Sequence, residues 1–139
     1  MNVPNDMFKQ ELLPYLTVHD IVKLDNACMS HEHRPQLMVK INGLILLGDD
    51  DEFMKTSLFK WLGMRRIYLI NMKLLFKSFS SSIENDYEVQ FRYTRYLIMI
   101  GPVRDDMAIF IISHCPCLLS IDVSSDNITD YTLQSIAEH

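Results

Sequence analysis

Cysteine is scarce in this chain. Its three copies among 139 residues, Cys28, Cys115 and Cys117, cannot all pair and form no dense disulfide framework. That excludes a small disulfide-stapled secreted fold and points to a reduced setting, cytoplasmic or nuclear. Long apolar runs are also missing. The longest, residues 96–100 and 107–112, fall far short of the ~20 residues a membrane-spanning helix needs. The opening Met1-Asn2-Val3-Pro4-Asn5-Asp6 has neither the charged start nor the apolar stretch of a signal peptide. A basic excess is absent too. Thirteen Lys and Arg against eighteen Asp and Glu give a net charge of −5, which argues against a nucleic-acid or anionic-membrane partner.

Chemistry-bearing constellations are equally thin. No nucleophile–base pairing, phosphate loop or metal set emerges, so neither catalytic residues nor a metal or other cofactor are expected. His114-Cys115-Pro116-Cys117 lacks the Cys-x-x-Cys spacing and the second ligand pair of a zinc site. It reads better as a helix end broken by Pro116, with Cys115 as a small buried residue. Asp49-Asp50-Asp51-Glu52 lacks the alternating ligands of a calcium loop and suits the start of a helix, where acids favour the dipole. Asp105, Asp106 and Asp130 fall at corresponding helix starts. Ser80, Ser81 and Ser82 lie in a polar insertion and could accept phosphate, although no kinase pattern marks them.

What the chain does have is apolar content and a repeat. At 48% apolar, 139 residues suit one globular domain with a real core, and nine methionines supply adaptable filling for it. Near the end a pattern occurs twice. One copy reads Tyr93-x-x-Tyr96-x-Ile98, Val103-Arg104-Asp105 and Ala108-x-x-Ile111-Ile112, closing with His114-Cys115-Pro116-x-Leu118. The other reads Leu118-x-x-Ile121-x-Val123, Asn127-Ile128-Thr129-Asp130 and Leu133-x-x-Ile136-Ala137. Positions 93 and 118, 103 and 128, and 111 and 136 are each 25 apart. A short apolar strand and an amphipathic helix at such a period predict an α/β leucine-rich solenoid.

Extending the pattern backwards gives Ile41-x-x-Leu44-x-Leu46 and Met64-x-x-Ile67-x-Leu69. Repeats starting at 41, 64, 93 and 118 have steps of 23, 29 and 25, about three and a half repeats in all. Residues 53–62 and 104–114 are the clearest helices, the first stopped by Gly63. The last repeat breaks off at Ala137-Glu138-His139 without a polar cap, so residues 41–139 read as repeats truncated at the C-terminal end. Residues 1–40 read as a separate all-helical unit. Phe8, Leu12, Tyr15 and Leu16 have helical spacing broken at Pro14, a turn spans residues 31–35, and residues 36–40 form a short helix. Thr17 caps a helix with Asp20 in its first turn and Ile21, Leu24 and Cys28 as its buried stripe.

Val3-Pro4, Leu12-Leu13-Pro14-Tyr15-Leu16, Thr17-Val18-His19-Asp20-Ile21 and Ala27-Cys28 resemble an F-box. The stretch from Pro4 to Tyr15 is one residue longer than that pattern, and His31 stands where Trp is expected. The repeats, with His-Cys-Pro-x-Leu and Ile-Thr-Asp, are similar to the cysteine-containing subtype found in F-box proteins with leucine-rich repeats. The resemblance covers residues 3–139. It implies a substrate-recognition subunit of an SCF-type ubiquitin ligase, which binds a Skp-type adaptor through the box and a target protein through the repeats. The adaptor-facing candidates are then Val3, Pro4, Phe8, Leu12, Leu16, Ile21 and Leu24. Alternation along the strands puts Arg66, Tyr68, Arg95, Leu97, Ser120 and Asp122 on the outward face as target-binding candidates. The alternative is a stand-alone repeat scaffold whose first helices are only a cap.

Overall fold

Thr17 caps the helix Val18–Ala27 as its spacing predicts. The Thr17 hydroxyl accepts from the Asp20 N–H, and the Asp20 carboxylate accepts from the Thr17 N–H at 2.9 Å, a reciprocal capping box. The computed structural model describes residues 10, 15–28, 32–48, 53–76 and 88–139. Helix α1 is Val18–Ala27 and α2 is His33–Ile41. Helix α2 starts inside the stretch expected to be a turn. Pro35 sits in its first turn, where its missing N–H leaves nothing unpaired.

After α2 the chain alternates strand and helix. Strand β1 (Ile45–Leu46) leads to α3 (Thr56–Arg65), then β2 (Tyr68–Leu69) and β3 (Asn71–Leu75). A 3₁₀ turn at Glu88–Phe91 precedes β4 (Tyr96–Ile100), α4 (Asp105–Ser113), β5 (Ser120–Ser124) and α5 (Asp130–Glu138). All strand pairs are parallel: β1 with β2, and β3 with β4 with β5. The architecture is mixed α/β, and among the described residues no helix is long and apolar enough to cross a membrane. Gly48 is required where the chain leaves β1, because a Cβ there would lie 2.0 Å from the Asn71 carbonyl oxygen.

The end of α3 also differs from the sequence expectation. Gly63 does not stop α3; the helix runs through it to Arg65, and Arg66 then takes a left-handed backbone at φ 52°. The Ile67 N–H bonds back to the Leu62 carbonyl at 3.0 Å, which satisfies a helix-end acceptor and offsets the strain of a side chain in that conformation. Met64, counted among the apolar repeat positions, is exposed on the last turn of α3.

The strands do not keep the constant period either. Ile45 pairs with Tyr68, Asn71 with Tyr96 and Tyr96 with Ser120, steps of 23, 25 and 24. Helices α4 and α5 still start 25 apart, at Asp105 and Asp130. The single-residue difference lies in the link from strand to helix, residues 101–104 in one unit and 125–129 in the next. A one-residue slip turns a strand over. The inward series in β4 is therefore Thr94, Leu97 and Met99, and Leu97, expected on the outer face, is 1% exposed.

One core runs the length of the molecule. Leu44, Leu46, Ile67, Leu69, Met72, Leu74, Leu97 and Met99 line its strand side, and Phe59, Leu62, Ala108 and Ile111 line its helix side. The Phe59 and Phe91 rings meet at 5.6 Å. Ile121, Val123 and Ile128 pack onto the same core but are only partly buried. Leu97→Ala should therefore lower unfolding stability in urea by about 3 kcal/mol, the usual cost of such a cavity. Ile98→Ala should lower it by less than about 1 kcal/mol. The reverse order would mean that Leu97 faces outward and Ile98 inward, one residue off this register.

Candidate protein-interaction surface

Alternation now defines the outer face. Parallel pairing aligns Asn71, Tyr96 and Ser120 in one row, Lys73, Ile98 and Asp122 in the next, and Leu75, Ile100 and Ser124 in a third. Ile45 and Tyr68 make the corresponding row of the first pair. Tyr96 is 48% exposed, and Ile98, Ile100 and Leu75 are half-buried although they point away from the core. The middle of the sheet is thus apolar, while its β5 edge is polar.

The structure sorts the expected target-binding residues. Arg95, Ser120 and Asp122 are exposed on the outside, and Arg66 is exposed at its left-handed turn. Tyr68 is half-buried against Tyr93, the rings meeting edge-on at 4.9 Å. Leu97 leaves the set, because it points into the core. Tyr93, Tyr96 and Ile98 take its place on the outside, and the sequence reading missed that role for them. A signal for them exists: Thr94-x-x-Leu97-x-Met99 has the spacing of Leu118-x-x-Ile121-x-Val123. It was masked by a polar first member. The Thr94 hydroxyl donates to the Leu69 carbonyl at 3.3 Å, which lets that side chain lie fully buried.

The helical start is held inward. Ile21, assigned to the adaptor-facing stripe, is fully buried in the core, and Leu16 and Leu24 pack against it. Ile21 is therefore corrected from a docking residue to a core residue. Val3, Pro4, Phe8 and Leu12 lie outside the described residues, as do the acidic stretch 49–52 and the serines 80–82.

Asp25 fixes this arrangement. It lies on the same face of α1 as Val18 and Ile21 and is 1% exposed. Its Oδ2 accepts from Trp61 Nε1 at 2.9 Å, from Arg65 Nε at 3.1 Å and from Arg65 Nη2 at 2.8 Å. Its Oδ1 accepts from Arg34 Nε at 3.2 Å. Three side chains of α2 and α3 thus converge on one carboxylate of α1. Burial pushes its pKa up, but the Trp61 hydrogen bond and the charges of Arg65 and Arg34 outweigh it and hold the group below its ordinary 3.8.

A second carboxylate joins the last two helices. Asp105, at the start of α4, accepts from the Thr129 hydroxyl and N–H, and from the buried Thr132 hydroxyl at 2.6 Å. These hydrogen bonds hold its pKa below 3.8, those from Thr129 contributing most. Cys115 is buried between turns, and burial, with the nearby Cys117, pushes its thiol up to about 12. A thiol in that state is a poor nucleophile and a poor ligand. Among the described residues no three His, Cys, Asp or Glu side chains are grouped to hold a metal ion.

Both carboxylates are held below 3.8, so their contribution to stability is complete above that value. It is lost as pH falls through the lower folded-state values. Asp25→Ala should cost about 3 kcal/mol at neutral pH, because it strands Arg65 and the Trp61 N–H. The same substitution should flatten the acid limb of the stability profile; an unchanged limb in urea melts at stepped pH would count against this tie. No family model matches the chain, and neither the curated proteins nor the solved structures searched contain a match to it.

Proposed function

We propose that this chain is a protein-binding module, a short leucine-rich-repeat stack that presents its outer strand face to a partner. The observation that carries the reading is the apolar centre of that face, Tyr96, Ile98 and Ile100 in successive outward positions of β4. Aromatic and Arg side chains are enriched where interfaces are energetically strong, and a solvated sheet face is normally polar. In this reading α1 and α2 cap the first repeat. The burial of Ile21 and the convergence of Trp61 and Arg65 on Asp25 support that role. The module acts by recognition, without catalysis of its own, in the cytoplasm or nucleus.

The ubiquitin-ligase reading is the second one. It rests on the F-box resemblance of residues 3–28, and one observation favours it: Tyr15, within the resembling stretch, is 83% exposed beside the partly buried Leu16. An aromatic ring left outside, next to the inward-facing Leu16 and Ile21, is available to an adaptor. Co-purification with a Skp-type adaptor, lost on Tyr15→Asp with the fold intact, would establish it. Failure of the folded wild-type chain to capture the adaptor would leave the capped scaffold.

A photo-crosslinking residue at Ile98 should give one discrete adduct in cells of origin, and Tyr96→Asp should abolish it. The same probe at Lys60, on the exposed side of α3, should give none. Equal labelling at both positions, or none at Ile98, would remove the outer face as the binding surface.

A further inference from the structure

The basic side chains of this acidic protein are unevenly used. Arg34 and Arg65 are committed to Asp25, and Arg104 to Asp106. Arg66, Arg92 and Arg95 are all exposed, and none forms an ion pair with a carboxylate among the described residues. All three lie in the segments that lead into the strands, so they share the rim at the strands' N-terminal ends. Tyrosines separate them. Tyr68 follows Arg66 by two positions and meets Tyr93 edge-on at 4.9 Å. The Arg92 guanidinium lies 5.9 Å from the Tyr93 ring centre, and Tyr96 directly follows Arg95.

We infer that this rim binds an acidic, extended segment of the partner protein, its carboxylates on Arg66, Arg92 and Arg95 and an apolar side chain on Ile98. The inference rests on the outer face being the binding surface. Charge sets the class of partner. Three guanidiniums without a carboxylate partner among the described residues, in a chain of net charge −5, attract anions locally while the rest of the molecule repels them. Asp122, in the same row as Ile98, faces the other end of the bound segment and disfavours a uniformly negative ligand. A nucleic acid would carry phosphate across that row as well, and it needs a longer basic track than three residues.

Size sets the form. Adjacent strands are ~4.8 Å apart and rise ~3.3 Å per residue, so the face measures roughly 15 Å each way. That is enough for about five extended residues and too small for a typical domain–domain contact. A Tyr ring beside Arg92 keeps its guanidinium oriented at little entropic cost, which favours forked pairing with a carboxylate.

The test is fluorescence anisotropy on the full chain with three labelled peptides that share a central leucine, flanked by Glu, by Gln or by Lys. The Glu peptide should bind saturably, the Lys peptide should not, and affinity should fall about tenfold between roughly 0.05 M and 0.3 M salt. A variant carrying R66N, R92E and R95E should lose at least about tenfold for the Glu peptide with its urea midpoint unchanged; Asn suits the left-handed position. Equal binding of the Glu and Gln peptides, or no response to the triple variant, would overturn the inference while leaving an apolar docking face. Tighter binding of labelled oligouridylate than of the Glu peptide would overturn it in favour of nucleic acid. Absence of binding by any peptide to folded protein would overturn it too, and the Ile98 crosslink then judges the face on its own.

Discussion

The carbonyl of Ile70 accepts two N–H groups, from Arg95 at 2.8 Å and Tyr96 at 3.2 Å. One layer on, the Arg95 carbonyl accepts from Leu119 at 2.8 Å and Ser120 at 3.0 Å. These shared acceptors sit where the chain enters the ladder, and one-for-one pairing then runs from Asn71 and Tyr96 onward. A break at Ile70 separates β2 from β3, and across it the inward positions change parity. Before it Ile67 and Leu69 point to the core; after it Met72 and Leu74 do, and the interval between the two pairs is odd. The outward rows of β3, β4 and β5, including the apolar centre of the sheet, follow from that parity and from the register that pairs the strands. Both the core and the candidate surface inherit their composition from them.

A different constraint acts at the helical start. An ionised carboxylate taken out of water is expensive unless its lone pairs are filled and its charge is matched. Asp25 meets that condition only because α2 supplies Arg34 and α3 supplies Trp61 and Arg65. Arg65 also lies 4.8 Å from the Trp61 ring centre, so the two donors are themselves stacked. A buried pair of this kind adds little net stability over an apolar contact but strongly penalises other arrangements of the three helices. The orientation of α1 is therefore specified more than it is strengthened, and its Ile21 face is committed to the core.

The far end of the structure is looser. Strand β5 pairs on one side with β4, and the core side chains it contributes, Ile121 and Val123, stay partly exposed. Asp105 compensates by tying Thr129 and Thr132 of the last unit to the start of α4. The link is made of polar groups near water, so it sets geometry with modest energy. His139 Nε2 and the Cys115 carbonyl, 2.8 Å apart, add a second tie between the same two units.

Local signals proved legible in the sequence. The capping box at Thr17 and Asp20, the helix following Arg104, the burial of Cys115 and the inward Ile67 and Leu69 can all be read from residue type and spacing. They depend on neighbours a few positions away, which the chain carries with it. Three features could not be read this way. Gly63 looks like a helix stop, yet the close falls on Arg66, because Ile67 and Leu62 find a better pairing there. Tyr93, Tyr96 and Ile98 look like the core series of β4, yet Thr94, Leu97 and Met99 are, because a strand-to-helix link one residue shorter shifts the strand against its neighbour. Asp25 looks like an ordinary surface acid, and only three donors from 9, 36 and 40 positions away make its burial tolerable. The sequence alone determined where strands and helices alternate, since periodicity is a property of the chain. Tertiary structure decided which face of each strand is inside and which charges are paired, since both depend on hydrogen bonds and ions that meet only after the units have packed.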